Sequence, residues 1–279
     1  MGQLEGKVAF ITGAARGQGR SHAVRFAREG ADIIALDVAE TLPTIGYPGA
    51  TEADLAETVR LVEEAGGRIH ATKTDVRDYA AVKATVDEGV DRFGRLDIVS
   101  ANAGIFSVGR AEELTSEQWN EVIDVNLTGV WKTCKAAIPH IRAGGRGGSI
   151  VLTSSISGMK ADPNFGHYIA SKHAVVGLMQ TMALELAPEF IRVNTVNPTN
   201  ANTPMIRNEM TDALFAPDLA PEERTEEALR PRFSSVHAMP IPWVEPEDVT
   251  EAVLWLASDA SRFVTGIQLP VDGGRNTRN

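Results

Sequence analysis

Thr12-Gly13-Ala14-Ala15-Arg16-Gly17-Gln18-Gly19 follows a short apolar run, Lys7–Thr12, and precedes a helical pattern near residues 18–29. A glycine-rich turn between a strand and a helix lets backbone N–H groups approach a pyrophosphate, whose charge the helix N-terminus favours. The spacing is Gly-x-x-x-Gly-x-Gly, and a turn without any ligand can use the same glycines. The candidates for phosphate contact are Gly13, Arg16, Gly17, Gln18 and Gly19.

Six further apolar runs follow the first, separated by helical patterns. The runs are Ile33–Asp37, Ile69–Asp75, Leu96–Ala101, Ser149–Ser154, Ile191–Asn197 and Gln268–Val271, and the helical patterns lie near 18–29, 52–65, 78–93, 117–142, 167–187 and 246–258. Runs that do not alternate with polar residues are typical of strands buried on both faces. The alternation predicts an α/β fold of the Rossmann type, with a doubly wound, seven-stranded parallel sheet flanked by helices.

Neither an internal repeat nor a low-complexity linker divides the 279 residues, so a single domain over 1–279 is expected. Two long connections interrupt this alternation, at 38–54 and at 199–246. The first contains two prolines and two glycines, and the second contains six prolines before Pro246. In compact domains, connections of this length are usually lids, binding loops or disordered segments. We therefore expect at least one of them to border a ligand.

The composition excludes several classes of partner. With 27 basic and 37 acidic residues the net charge is −10, which argues against nucleic-acid or anionic-membrane binding. Cys134 is the single cysteine, so an intrachain disulfide is impossible and a cysteine-based metal site is not expected. The sequence shows no signal-like N-terminus and no long apolar span. A cytoplasmic protein without membrane, nucleic-acid or metal partners is expected.

Asp37 ends the second apolar run, 18 residues after Gly19. A carboxylate at this position can accept hydrogen bonds from an adenosine ribose and repels a 2′-phosphate, which favours NAD over NADP. Arg16 argues the other way, because a cation in the glycine turn can meet a 2′-phosphate. Repulsion by a fixed carboxylate is harder to avoid, so NAD is the predicted cofactor. The alternative for Asp37 is a strand-end residue that caps the next turn.

Tyr168-Ile169-Ala170-Ser171-Lys172 places a phenol and an ammonium on one helix face, four residues apart. Alone, this spacing usually marks a solvated face. Here Ser155 stands thirteen residues earlier, at the end of the fifth apolar run, and Asn102-Ala103-Gly104 ends the fourth. Asn126 lies in the helical pattern after that.

Together these motifs resemble the short-chain dehydrogenase/reductase family, from the glycine turn to the near-terminal Val271-Asp272-Gly273-Gly274. The resemblance implies that Tyr168 is the general acid/base and that Ser155 hydrogen-bonds the substrate oxygen. It implies that Lys172 binds the nicotinamide ribose and lowers the tyrosine pKa, and that Asn126 holds a water linked to solvent. A free tyrosine titrates near ~10, so a tyrosinate at neutrality needs adjacent positive charge.

The resemblance implies further cofactor contacts at the ends of the later strands. These are Asp75 and Val76 at the adenine, Asn102, Ala103 and Gly104 along the middle, Pro198 and Thr199 near the nicotinamide, and Thr203 at its carboxamide. The alternative for Asp75 is a helix N-cap. Thr199 departs from the family pattern, which has Gly there, and brings an extra side chain close to the nicotinamide.

Segment 38–54 and the run Asn197–Met205 resemble one branch of the family, the carveol-dehydrogenase-like, mycofactocin-associated dehydrogenases of actinobacteria. The branch implies an NAD-dependent oxidoreductase that interconverts a hydrophobic secondary alcohol, such as a monoterpenol, and its ketone. It implies tightly held NAD and a separate redox acceptor. Segment 38–54 is then predicted to fold over the adenosine half of NAD, with a surface insertion of no role as the alternative.

The family places its substrate lid after the sixth strand, so 199–246 is predicted to be that lid. Its apolar side chains suit a hydrophobic substrate. They are Met205, Ile206, Met210, Leu214, Phe215, Phe233 and Met239, and Phe106, Met159 and Phe165 are candidates for the same wall. The family also implies a homotetramer. Two other functions stay open: an NADPH-dependent ketoreductase of the 3-oxoacyl type, and a non-catalytic nucleotide-binding protein.

Overall fold

A single parallel sheet runs through the computed structural model, which describes residues 2–278. Its strands are β1 (Val8–Thr12), β2 (Asp32–Asp37), β3 (Ile69–Lys73), β4 (Ile98–Ala101), β5 (Gly148–Thr153), β6 (Ile191–Pro198) and β7 (Gln268–Val271). They lie in the order β3-β2-β1-β4-β5-β6-β7, which confirms all seven predicted strands and the predicted fold. The strand order reverses between β1 and β4, and ligands bind outside the carboxyl ends of strands at such a point.

Helices cover both faces of the sheet. They are α1 (Gly17–Arg28), α2 (Glu52–Glu64), α3 (Tyr79–Phe93), α4 (Ser116–Ile123), α5 (Val130–Gly144), α6 (Gly166–Leu186), α7 (Glu209–Phe215), α8 (Glu226–Ser234) and α9 (Pro246–Ala257). Helix α1 packs between α2 and α9 on one face, and α3, α5 and α6 cover the other. Each helix in residues 2–278 is too short or too polar to span a bilayer.

In the five inner strands, β1, β2, β4, β5 and β6, the two faces contribute side chains to two separate apolar cores. In β1, Val8 and Phe10 belong to the core beneath α3, α5 and α6, and Ala9 and Ile11 belong to the core beneath α1 and α9. Successive side chains of a strand point to opposite faces, so a run without polar residues fills both cores. This is the physical reason why non-alternating runs predicted the strands correctly.

The prediction of one continuous helix over 117–142 is wrong. The chain forms α4, a π-helical turn at Asp124–Gly129, and then α5. Asn126 lies inside that turn with a fully buried side chain, which bonds the backbone of Ile105. Turns of this kind are rare and often occur at functional sites. Here the wider turn directs a polar residue towards the sheet.

The two long connections differ in structure. Segment 38–54 has no strand and only the start of α2, whereas 199–246 holds α7 and α8. The latter has a small core of its own, in which Phe233 stacks on Phe215 with ring centroids 4.1 Å apart and meets Trp243 at 5.9 Å. Both segments border the same cavity.

Candidate active site

The glycine turn forms a cradle for an anion at the start of α1. Arg16 is the N-cap residue and makes no side-chain cap hydrogen bond, so the first N–H groups of α1 stay available to a ligand. Gly13 has φ +67°, and a Cβ there would lie 2.9 Å from Ala103 Cα. A Cβ on Gly17 would lie 3.1 Å from Thr203 Cγ2. Side chains at Gly13 and Gly17 would therefore crowd Ala103 and Thr203, and both glycines also have a positive φ.

Gly19 does not line the cavity, and its contact with a phosphate stays a prediction. A Cβ on Gly19 would lie 2.1 Å from the Gly13 carbonyl oxygen. Gly19 therefore lets α1 pack closely against the turn. Gln18 does line the cavity, and its Oε1 is buried without a hydrogen-bond partner in residues 2–278. An orphaned acceptor at this position fits a ribose hydroxyl or another donor group of a nucleotide.

Asp37 lies at the carboxyl end of β2 with its carboxylate in the cavity wall. It accepts hydrogen bonds from the N–H groups of Ala15, at 3.0 Å, and Ala39, at 2.9 Å. The turn-capping interpretation is thus correct. It does not exclude a ribose contact, because each carboxylate oxygen accepts more than one hydrogen bond.

Arg16 points to segment 38–54. Its guanidinium donates to the carbonyl oxygens of Gly49, at 3.0 Å, and Pro48, at 2.5 Å. The cation that argued for a 2′-phosphate is engaged by backbone carbonyls of this chain. It holds the segment against the glycine turn.

The ends of β3 and β4 complete the middle of the cavity. Asp75, Val76, Asn102, Ala103 and Gly104 all line it. The backbone N–H groups of Asn102 and Ala103 donate to Thr12 Oγ1, which ties the end of β4 to β1. The N-cap of α3 is Asp78, so the N-cap interpretation of Asp75 is wrong.

Ser155 and Tyr168 meet at one end of this cavity. Ser155 follows β5 and lies next to the Tyr168 hydroxyl. The Tyr168 ring packs edge-on against Phe106, with ring centroids 5.4 Å apart. Burial raises the pKa of Tyr168 above its usual value, and the Ser155 hydrogen bond and the positive charge of Arg275 act in the opposite direction. The Tyr168 phenol is therefore protonated at neutral pH when no ligand adds positive charge.

Lys172 lies one helical turn after Tyr168 and is 3% exposed. Its Nζ donates to the Thr153 carbonyl oxygen at 2.8 Å and lies 5.5 Å from the centroid of the Tyr168 ring. Burial lowers the pKa of Lys172 to about 8. The spacing of four residues on α6 thus brings both side chains to one site, as the sequence predicted.

Asn126 lies behind the cavity wall and does not line it. Its Oδ1 accepts from the Ile105 N–H at 2.8 Å, and its Nδ2 donates to the Ile105 carbonyl at 2.9 Å and to Ser171 Oγ at 3.3 Å. The predicted role of Asn126 in holding a water stays a prediction. The amide is saturated by protein groups, and it fixes the strand end next to Gly104 and Lys172.

Pro198, Thr199 and Thr203 line the cavity where β6 ends. Thr199 is the departure from the family pattern, and its Oγ1 is 2.8 Å from Nε2 of the buried His237. The extra side chain thus anchors segment 199–246 to the end of β6.

The end of the cavity next to Tyr168 is largely apolar. It is lined by Phe106, Phe165, Met205, Ile206, Leu214 and Phe215. The ring centroid of Phe106 lies 5.2 Å from that of Phe165 and 5.4 Å from that of Tyr168. Four predicted wall residues do not line the cavity: Met159, Met210, Phe233, which fills the core of its own segment, and Met239, which is exposed.

Segment 38–54 extends along the cavity from the glycine turn to Phe106. Tyr47 is buried, lines the cavity, and accepts a hydrogen bond from the Phe106 N–H at 3.2 Å. The side chain of Met210, in α7, packs on Gly46, with Sδ 2.8 Å from where a Cβ would lie. Thr44 donates from its N–H and Oγ1 to Glu121, at 3.1 and 2.5 Å. The segment thus bridges from the glycine turn to segment 199–246.

Sequence reasoning missed several cavity residues that bear polar groups, among them Tyr47, Asp162, Asn200 and Arg275. No local motif marks them. The aromatic residue in a segment rich in Pro and Gly was the one available signal for Tyr47. Residues 2–278 contain no cluster of metal-ligating side chains.

Comparison with known proteins gives consistent matches over the whole chain. A family model described as enoyl-(acyl carrier protein) reductase matches residues 13–276. A (−)-trans-carveol dehydrogenase of Rhodococcus erythropolis is 52% identical over 98% of this chain and 99% of its own. The crystal structure of carveol dehydrogenase from Mycobacterium avium in complex with NAD is 52% identical, covers 100% of both chains and has a TM-score of 0.98.

A second solved structure, a short-chain dehydrogenase from Mycobacterium paratuberculosis bound to NAD, is 49% identical. It covers 99% of this chain and 100% of its own, with a TM-score of 0.91. The site geometry and these likenesses point to the same class of enzyme.

Proposed function

The chain belongs to the short-chain dehydrogenase/reductase family, and we propose that it is an NAD-dependent alcohol dehydrogenase acting on hydrophobic secondary alcohols. The observation that carries this proposal is the convergence of Ser155, Tyr168 and Lys172 at one end of a cavity that has Asp37 at the other. The first three supply proton transfer, and the last suits an adenosine ribose. The relatives named as NAD complexes support the cofactor.

The reaction converts an alcohol and NAD⁺ into a ketone, NADH and a proton. When bound, NAD⁺ supplies the carbon that accepts hydride. Ser155 holds the substrate oxygen by a hydrogen bond, and the Tyr168 phenolate takes the hydroxyl proton as the carbonyl forms. Lys172 contributes positive charge beside Tyr168, as does an oxidised nicotinamide, and both favour the phenolate.

Cofactor choice separates this function from its nearest rival, an NADPH-dependent ketoreductase. The matching family model is described as an acyl-carrier-protein reductase, so the rival has support at the family level. Against it, Asp37 lies 8% exposed in the cavity wall, where its carboxylate would repel a 2′-phosphate. Arg16, the cation that could offset this repulsion, is bound to Pro48 and Gly49.

The proposed substrate is a carveol-like monoterpenol. The chamber beside Tyr168 is walled by aromatic and aliphatic side chains, which suits an apolar ring. The name of the Rhodococcus relative supports the same class.

Turnover of a secondary-alcohol panel that includes carveol tests the function. Each alcohol is offered with NAD⁺, with NADP⁺, or with an artificial electron-accepting dye and no added cofactor. We expect oxidation of carveol with NAD⁺ or with the dye, and at least ~10-fold less with NADP⁺, because a buried carboxylate facing a phosphate is costly. Preference for NADP⁺ would favour the ketoreductase, and no turnover of any alcohol would favour a non-catalytic protein.

We further propose that segment 38–54 retains NAD and that a separate acceptor reoxidises it. The support is structural, since three contacts hold the segment in place. Arg16 donates to the Gly49 carbonyl, Thr44 donates to Glu121, and the Tyr47 hydroxyl accepts from the Phe106 N–H. With three such contacts, segment 38–54 must move before a dinucleotide can leave the cavity. Turnover with the dye alone would support the separate acceptor.

The homotetramer also stays a proposal, which light scattering of the purified protein tests.

Removing one of the hydrogen bonds that hold segment 38–54 should speed the release of NAD. Thr44→Val removes the hydroxyl that bonds Glu121, and we expect the NAD dissociation rate to rise by ~5-fold, since one charged hydrogen bond is worth about 1 kcal/mol or more. Deleting residues 42–49 should raise it further. Thr44→Ser keeps the hydroxyl and should behave as the wild type. An unchanged dissociation rate in the deletion variant would rule out the retention role.

A further inference from the structure

One charged pair interrupts the apolar chamber. Arg275, in the segment after β7, is 9% exposed, and its Nη2 donates to Asp162 Oδ2 at 2.7 Å. Both residues line the cavity together with Tyr168, and the charge of Arg275 acts on the Tyr168 hydroxyl. The Asp162 side chain is 30% exposed, so Arg275 is the buried member of the pair. Burying its charge is costly unless its remaining donors are also satisfied.

Asn200 extends this pair along the cavity wall. Its Oδ1 accepts from Arg275 Nη1 at 3.3 Å. Because a guanidinium only donates, this contact fixes the orientation of the amide. The amide Nδ2 is then left as a buried donor with no partner in residues 2–278. Asn200 is 7% exposed, so few water molecules can reach the group.

We propose that Arg275, Asp162 and Asn200 form a polar subsite for a second oxygen of the substrate, a hydroxyl or a carbonyl remote from the reacting carbon. The subsite rests on the proposed dehydrogenase function and narrows its substrate class. Asn200 Nδ2 and the guanidinium present donors, which call for an oxygen acceptor.

The charge of the subsite selects the kind of oxygen. Asp162 neutralises Arg275, so a neutral oxygen fits better than a carboxylate, which would meet a like charge at Asp162. A hydroxyl can also donate to the Asp162 carboxylate. An alcohol that lacks the second oxygen leaves the buried donors unpaired, which is the stronger form of discrimination available to an enzyme.

Two alcohols of the same skeleton test this subsite: 4-isopropylcyclohexanol and 4-(2-hydroxypropan-2-yl)cyclohexanol. They differ by one tertiary hydroxyl, which cannot be oxidised to a ketone. We expect the wild type to favour the diol in kcat/KM by at least ~10-fold, because only the diol pairs the buried donors. Carveol serves as a reference for activity.

Two variants should remove the preference by different routes. The double variant Arg275→Met, Asp162→Leu replaces the pair by apolar side chains, and Asn200→Leu removes only the amide. In each, we expect the kcat/KM ratio of the two alcohols to fall below about 3, with the larger loss on the diol. Asn200→Leu keeps the ion pair and supplies the result if the double variant does not fold.

The matched control is Arg262→Met, since Arg262 is exposed and outside the cavity, and it should keep the preference. A wild type that treats both alcohols alike would overturn the subsite, as would variants that slow both alcohols equally. If the wild type oxidises carveol but prefers 4-isopropylcyclohexanol to the diol, the subsite is overturned and the dehydrogenase function stands. A wild type that oxidises no alcohol overturns the dehydrogenase function, and the subsite with it.

Discussion

Tyr168→Phe should lower turnover of carveol by about 10³-fold, because it removes the proton acceptor and leaves the ring in place. The phenyl group keeps its contact with Phe106, so the shape of the chamber is preserved. The variant should still bind NAD, because the residues at the glycine turn and at the end of β2 are unchanged. Steady-state kinetics and a binding titration with NADH measure the two effects separately.

Tyr79→Phe is the matched control for this variant. Tyr79 begins α3, lies outside the cavity and contacts Lys135, whose Nζ is 4.6 Å from the ring centroid. Loss of the Tyr79 hydroxyl should leave turnover of carveol unchanged. If Tyr168→Phe retained more than a tenth of wild-type turnover, another group would have to accept the proton, and the assignment of Tyr168 would fail.

The elements that the sequence predicted best are those in which local pattern and tertiary role coincide. The five inner strands are buried on both faces, and their apolar runs indicate this directly. Tyr168 and Lys172 share a helix face because four residues make about one turn. The strand ends at Asp37 and at Asn102 reach one edge because all strands are parallel.

The features that were missed depend on contacts between distant parts of the chain. The π-helical turn forms around the hydrogen bonds of Asn126 with Ile105. The helical periodicity of the sequence does not indicate these bonds. Tyr47 reaches the chamber because Arg16 and Glu121 hold its segment. Arg275 reaches it because the chain turns back after β7 towards Asp162. A local pattern contains none of this information.

Lys172→Met should have two opposite effects, a loss of activity and a gain in stability. Activity should fall by about 10²-fold, because the positive charge that favours the Tyr168 phenolate is gone. Stability should rise because Lys172 is a buried amine whose pKa in the folded protein is about 8, against 10.5 for a free side chain. Below pH 8 the fold carries the cost of that charge, about 3 kcal/mol from the shift. The unpaired Thr153 carbonyl offsets part of it, which leaves a gain of about 1–2 kcal/mol.

The pH dependence identifies the buried charge as the cause of this gain. Between pH 8 and 10.5 the unfolded chain binds more protons at Lys172 than the folded chain, so the free energy of unfolding of the wild type rises with pH there. The advantage of Lys172→Met is therefore complete below pH 8 and shrinks as the pH rises towards 10.5. Near pH 10.5 it becomes a disadvantage, because the Thr153 carbonyl stays unpaired in the variant. Urea unfolding at several pH values measures it, with the exposed Lys135→Met as control. A variant less stable than the wild type at pH 7, or an advantage that does not change up to pH 10.5, would contradict the argument that the site keeps Lys172 at the expense of stability.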